Sequence, residues 1–337
     1  MKLSHFENYT DSSIWVQLLR DANVFFQKQY KDYCEESGRK VIYVYSDNYI
    51  VPVELTKKLL FNYSSFSSEP YNYSMKEEDL QDFLTEVCSY IRNNFKVQWI
   101  NALSTAILCA AYPRECKYIP FGSHIIDLSL SEEELWSKVH SKHRNVIKKS
   151  EKDGVVVEIG RSEKLIRDYH SLDVMTWKRS NKSDSGLEAI RNNLKYLGDN
   201  AIIYMAYYEG VPQSGALFYY NSAMCYYMFG ANCDKPHTGA GNFLQWKAIL
   251  NMKGAGVKKY SFVGCRINED ENSKFHNIQR FKERFGGELV QGFLFKVIFN
   301  KSAYWLFKLL VSTRMSIAVK SLTRYKDIID QEIHKWR

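Results

Sequence analysis

Apolar residues recur at helical spacing from Trp15 to Cys34, then crowd into two short runs, KVIYVYS at 40–46 and NYIVPVEL at 48–55. The turn-forming pair Asp47-Asn48 lies between the runs, so the pattern predicts an amphipathic helix followed by a β-hairpin. FNYSSFSSEPYNYS at 61–74 is polar and aromatic and reads as a loop. A further helix and strand complete a mixed α/β segment.

A second unit begins near IIDLSL at 125–130. Ser131 and Glu134 have the spacing of a capping box. Leu135, Val139, His143, Val146 and Ile147 then recur as on one helix, and Asp153-Gly154 supplies its stop before the strand VVVEI at 155–159. An amphipathic helix over about 162–180 leads to three β-like runs, 201–208, 215–221 and 223–230, joined by turns short enough for an antiparallel meander. Gly239-Ala240-Gly241 opens another helix, and VKKYSFV at 257–263 closes a β-α-β crossover. Both halves share this order of elements.

The chain has 337 residues, a length that suits two domains better than one core. Hydrophobic residues make up 45% and aromatic residues 15%, so disorder is excluded. Lys and Arg outnumber Asp and Glu by 46 to 38, a formal +8 that favours anionic partners. The excess gathers at 138–152 and 301–326 rather than in the stripe of a dedicated nucleic-acid module, and solvated helix faces account for it equally well. Seven cysteines, at 34, 88, 109, 116, 225, 233 and 265, show no C-x-x-C pair and no zinc-type spacing, so neither a metal site nor a disulfide framework is expected. MKLSHFENYTDSS lacks the apolar core of a signal peptide. The apolar stretches around 104–111 and 303–311 fall short of the roughly 20 residues that span a bilayer, and a cytoplasmic location is expected.

Three segments carry a resemblance: LWSKVHSKHRNVIKKSEKDGVVVEIG at 135–160, MCYYMFGANCD at 224–234, and KKYSFVGC at 258–265 followed by IQRFKERFGG at 278–287. In their order they resemble the FemABX aminoacyltransferases and related GNAT-like acyltransferases. NVFFQKQYKDYCEESG at 23–38 extends the likeness, more weakly, toward the N-terminus. The resemblance implies an α/β (α+β) fold of two GNAT-like lobes, each a mixed, mostly antiparallel sheet flanked by helices. One lobe would be 1–124 completed by 298–337, the other 125–297. Some members carry a helical-hairpin arm for transfer RNA, and no such insertion is visible.

The same resemblance implies site residues. Phe281-Lys282 matches the pair at the acyl-transfer centre, where an ammonium would stabilise an oxyanion or donor phosphate; the sequence alone equally describes a surface lysine beside a core Phe. Arg179, in MTWKRS, falls where the family binds the diphosphate of a nucleotide-linked acceptor, and a guanidinium fork suits phosphate. Tyr227 would line the acceptor channel, although strand tyrosines are often core, and Phe229 stands where the family can carry a tyrosine. Arg144 and Lys148, four apart on one helix face, could hold phosphates of the acceptor or of a transfer-RNA donor. Gly239, Ala240 and Gly241 resemble the pyrophosphate loop of acyl-CoA enzymes and precede a helix N-terminus suited to anions. Pro236 departs from that loop's Gln or Arg.

The expected activity is therefore amide formation, with an aminoacyl group moving from aminoacyl-tRNA to an amine of a peptidoglycan precursor. Two alternatives stay open: an acyl-CoA-dependent N-acyltransferase acting on an amino sugar of a surface polysaccharide, and a non-catalytic module that binds an envelope precursor. No tightly bound cofactor is expected. The partners would be a nucleotide- or lipid-linked precursor, aminoacyl-tRNA, and the inner membrane face, which the basic, aromatic segment 301–326 could contact peripherally. No His/Asp or Cys/His constellation shows at useful spacing, so no covalent enzyme intermediate is expected.

Overall fold

A computed structural model of the protein describes residues 2–8, 14–76, 79–180, 184–267, 269, 271, 273–319 and 324–336. The chain divides into two compact units, unit 1 comprising 1–122 with 291–337 and unit 2 comprising 123–290.

Unit 1 opens with β1 (Ser4–Phe6), α1 (Ile14–Leu18) and α2 (Lys28–Glu36). The helix expected to run unbroken from Trp15 to Cys34 is interrupted. Asn23 accepts a hydrogen bond from the Phe25 amide at 3.1 Å and starts a 3-10 turn over Val24–Phe26, whose side chains are all buried. Asparagine favours such local bonding over helix continuation. β2 (Lys40–Tyr45) and β3 (Tyr49–Lys58) form the expected hairpin, with Lys40 opposite Leu55 and Tyr45 opposite Ile50. The stretch expected to be a loop contains β4 (Phe61–Phe66) and β5 (Tyr71–Asn72), both paired with β3. Ser64 is buried on the face of Phe66, while Phe61 is buried on the opposite face against Trp99, so the alternation of apolar residues is masked in the sequence. α3 (Leu80–Phe95), capped by Asp79, crosses over to β6 (Trp99–Ile100), parallel to β4.

β7 (Lys117–Asp127) carries the chain into unit 2. The capping box opens α4 (Glu132–Lys138): Ser131 Oγ accepts from the Glu134 amide at 3.1 Å, and Glu134 Oε2 accepts from the Ser131 amide at 2.7 Å. The single helix expected to follow is two. Val139 is extended, and His140 Nδ1 accepts from the Lys142 amide at 3.2 Å to start α5 (Ser141–Lys152). Then come β8 (Val156–Gly160), α6 (Glu163–Lys178), α7 (Leu187–Leu197), β9 (Ala201–Tyr208), β10 (Val211–Tyr220), β11 (Met224–Asn232), α8 (Ala240–Gly254), β12 (Lys259–Ser261) and α9 (Lys274–Glu283). β8, β9, β10 and β11 form the antiparallel meander. α8 crosses over to β12, which is parallel to β11 and antiparallel to β7.

β13 (Glu288–Ile298) returns to unit 1 and pairs antiparallel with β6, and α10 (Lys301–Val319) and α11 (Ile328–Glu332) follow. Each unit thus repeats one plan: four antiparallel strands, a helical crossover to a parallel fifth strand, and a sixth strand antiparallel to the fifth. Each has its own apolar core, with α3 filling that of unit 1 and α5 and α8 that of unit 2. The fold is α/β with GNAT-like lobes.

Candidate functional site

α9 places Phe281 and Lys282 side by side but sends them to different neighbours. Phe281 packs its ring against His143 of α5 at 5.4 Å and against Phe285 at 5.3 Å. Lys282 is buried, 8% exposed, and its Nζ donates to the carbonyl oxygens of Val263 at 2.5 Å and Gly264 at 2.9 Å. Both carbonyls belong to a turn just after β12 in which Val263 (φ 42°) and Gly264 (φ 49°) are left-handed. A β-branched residue resists that conformation at a cost of about 1–3 kcal/mol, so surrounding contacts must hold it. One of them is Ser261 Oγ, which accepts from the Val263 amide at 3.2 Å and lies 2.9 Å from Ser123 Oγ. Burial pulls the Lys282 ammonium down to a pKa of about 8, and no carboxylate among the described residues pairs with it. An ammonium has three N–H donors. Two serve the turn, and the third has no protein acceptor among the described residues.

The fold brings to this lysine a pair that no sequence spacing suggested. Cys265 Sγ lies 3.8 Å from Nε2 of His124, 141 positions away on β7, and His124 Nδ1 is 3.4 Å from the Gly287 carbonyl. Burial lowers the His124 pKa and pushes the Cys265 thiol up to about 11. At neutral pH the pair is therefore imidazole and thiol, not the imidazolium and thiolate of an activated nucleophile. His143 is likewise held neutral by burial, at a pKa of about 4, between Phe281 and Phe285.

Tyr227 reaches the same region through a chain of ring contacts, edge-on to Phe262 at 6.2 Å, Phe262 stacked on Phe285 at 5.2 Å, and Phe285 edge-on to Phe281. Burial raises its hydroxyl to a pKa of about 12, with a hydrogen bond from Gln245 acting the other way. Gln245 also accepts from the buried Tyr260 hydroxyl, so one amide ties two tyrosines together. A Cβ at Gly230 would lie 1.9 Å from the Tyr227 hydroxyl, and glycine is the residue that leaves room for it.

The remaining expected residues gather elsewhere in unit 2. Arg179 caps α6 and donates to Asp234 Oδ1 at 2.7 Å, to the Asn232 carbonyl at 2.9 Å and to Thr176 Oγ1 at 3.0 Å. These bonds fasten α6 to the end of β11. Gly241 sits at the same place, where an added Cβ would be 3.3 Å from Ser214 Oγ and 3.8 Å from Asn232 Oδ1. Ala240 is fully buried. Gly239 is left-handed (φ 85°), and a Cβ there would stand 2.3 Å from the Val146 carbonyl oxygen of α5. Its glycine is thus required by the backbone alone. Gly239→Ala is expected to destabilise the fold by about 2–4 kcal/mol in urea titrations; an unchanged midpoint would show that α5 can yield.

α5 joins the two clusters, since His143 packs on Phe281 and Val146, three residues on, backs Gly239. That is less than one helical turn, about 4.5 Å of rise. Arg144 takes a structural position: its Nη1 donates to the carbonyls of Trp136 (3.4 Å), Ser137 (3.0 Å) and Val139 (2.6 Å) and closes the end of α4. Lys148 is exposed, with its ammonium 5.8 Å from the Trp136 ring.

Residues 137–282 match the family model described as "Acetyltransferase (GNAT) domain". Among solved structures, the one titled "Crystal structure of FemX" is similar over 91% of this chain and 99% of its own, with 13% identity and a TM-score of 0.67. The C-terminal domain of a putative lysylphosphatidylglycerol synthetase from Agrobacterium fabrum covers 88% of this chain and 96% of its own, at 13% identity and a TM-score of 0.55. L-PGS from Bacillus licheniformis covers 87% and 97%, at 11% identity and a TM-score of 0.51. At such identities the likeness is one of fold. No curated protein matches the chain by sequence.

Proposed function

We propose, from the premise that this chain carries a GNAT acyltransferase domain at residues 137–282, that it transfers an aminoacyl group from aminoacyl-tRNA to an amine of a peptidoglycan precursor in the cytoplasm. The buried Lys282 ammonium, fixed by two carbonyls of a strained turn and left with one N–H that has no acceptor among the described residues, carries this reading. In the reaction the neutral acceptor amine attacks the ester carbonyl and the C–O bond to the ribose breaks. The proton shed by nitrogen ends on the departing hydroxyl. The tetrahedral intermediate bears its charge on oxygen, and a preorganised donor in a dry site is most effective there. Lys282 gives a hydrogen bond to that oxygen and keeps its own proton. Phe281, wedged between His143 and Phe285, fixes the helix face from which Lys282 projects.

The acceptor is a nucleotide- or lipid-linked envelope precursor in this reading. Arg179 and Gly241 meet at the end of β11, where a precursor phosphate would bind Arg179 by displacing Asp234 from it. The same convergence at the α8 N-terminus favours a second reading, an acyl-CoA donor acting on an amino sugar. The test is a transfer assay with two labelled donors, an aminoacyl-tRNA and an acyl-CoA, against a nucleotide-linked muropeptide. An amide product labelled from the transfer RNA is expected. Label arriving only from the thioester would replace the donor, and none from either would leave a binding module.

A further inference from the structure

α10 has two faces, and only one of them is accounted for by unit 1. Its inner face packs Phe307 against Trp99 at 5.0 Å and Phe61 at 5.6 Å, with Tyr304 also buried. Trp305 (65% exposed), Leu306, Leu309, Leu310 and Ile317 (74% exposed) lie outward. At 100° per residue Trp305, Leu306, Leu309 and Leu310 form one apolar stripe over two turns, and Ile317 points the same way beyond Thr313 and Ser316. A contiguous exposed apolar face of this kind marks an interaction site.

Beside the stripe a cavity of about 700 Å³ opens between α10 and the strand ends, lined by Ile298, Tyr304, Trp305 and Leu309 among apolar groups and by Lys117, Lys301 and Arg324 among cationic ones. Lys308 and Asp330, also on its wall, neutralise each other at 2.6 Å. Lys117, Lys301 and Arg324 are exposed and have no carboxylate partner among the described residues. The cavity thus offers an apolar floor continuous with the stripe at Trp305 and Leu309, under a rim of positive charge. No helix among the described residues is long and apolar enough to cross a membrane.

We propose that this face of unit 1 docks on a membrane and takes one anionic phospholipid, its acyl chain in the cavity beside Trp305 and Leu309 and its phosphate at Lys117, Lys301 and Arg324. Charge complementarity selects this occupant: a neutral lipid or an apolar protein segment would leave three cations unanswered, and a second copy of the chain would set like charges against each other. The inference concerns unit 1 and does not depend on the transferase reading, whose residues are all in unit 2.

The experiment mixes the full chain with vesicles of phosphatidylcholine alone or containing phosphatidylglycerol, and measures co-sedimentation. Binding is expected to the anionic vesicles, at least about tenfold tighter than to the neutral ones, and the double variant Lys301→Glu/Arg324→Glu is expected to lose at least about tenfold. Phospholipids brominated along the chain should quench tryptophan emission in the native chain and much less in Trp305→Phe, which separates insertion from head-group attraction. Transfer activity on soluble substrates should be the same in these variants. Equal binding to neutral vesicles, no binding to either, or unaltered binding by the double variant would overturn the proposal. So would a concentration-dependent dimer in sedimentation equilibrium that Leu309→Ser dissolves, because the stripe would then be covered by a second copy.

Discussion

Lys282→Ala is expected to lower the turnover of acyl transfer by at least about tenfold while the thermal transition stays cooperative, because the variant removes a buried donor to the oxyanion. The cost to folding should be smaller than that of most buried deletions, because burial of the charge works against the native state. A lysine whose folded pKa is about 8, below its unfolded value near 10.4, binds its proton less well in the native state. The unfolded chain therefore binds more protons between those values, and this group's contribution to stability rises with pH through that window. At neutral pH desolvation of the charged lysine opposes folding and offsets part of what its two hydrogen bonds contribute, so Lys282→Met should change stability by less than about 2 kcal/mol. Activity and stability separate in this variant, which a lysine acting only as a prop for the turn would not allow.

The pH profile sharpens the same test. If the ammonium is the working form, kcat/KM should carry a descending limb with an apparent pKa of about 8, and Lys282→Arg, which stays charged, should lose that limb even if its rate is low. A lysine working as a base would produce an ascending limb through the same value instead. That outcome, or unaltered turnover in Lys282→Ala, removes the ammonium from the chemistry.

Which parts of this molecule can be read from its sequence follows from where the information lies. The 40–55 hairpin, the Ser131–Glu134 cap and the three-strand meander rest on local spacing, and local spacing survives folding. β4 escaped because Ser64 fills an inward position that apolar patterning cannot recognise. The break between α4 and α5 escaped because Val139 and His143 keep helical spacing across it, while the cap is a histidine ring, outside the usual capping residues. Phe281 and Lys282 stand out only through family resemblance, since an isolated Phe-Lys on a helix says nothing of the carbonyls that face Lys282 in the fold. His124 and Cys265 had no signal, because 141 residues separate two side chains that meet only when β7 and β12 pair. Arg144 shows the converse, a basic residue on a basic helix whose Nη1 donates to carbonyls at the end of the preceding helix.

The largest expected effect on stability lies in unit 1. Lys296 on β13 is 1% exposed, and its ammonium donates to Asp327 Oδ2 and Asp330 Oδ1, both at 2.6 Å. Tyr304 of α10 donates to Asp327 at 3.0 Å, and Lys308 of α10 donates to Asp330 at 2.6 Å. Burial alone would raise the Asp330 pKa, but the hydrogen bonds and charges of Lys296 and Lys308 hold it below the ordinary value. Lys296→Ala leaves Asp327 with no cation in this network and should cost about 3–5 kcal/mol, read as a lower urea midpoint and faster hydrogen exchange along α10 and α11. A carboxyl with a depressed folded pKa stabilises above its unfolded pKa, near 4, and that contribution disappears as pH falls through the folded value. The variant should therefore lose less on acidification than the native chain does. Lys296→Met with Asp327→Asn, which removes charge from both sides, is expected to recover much of the loss. A single variant within about 1 kcal/mol of the native chain would mean that water or Lys308 already satisfies both carboxylates, and that packing of Phe307 and Tyr304 on Trp99 and Phe61 holds α10 to its unit without Lys296.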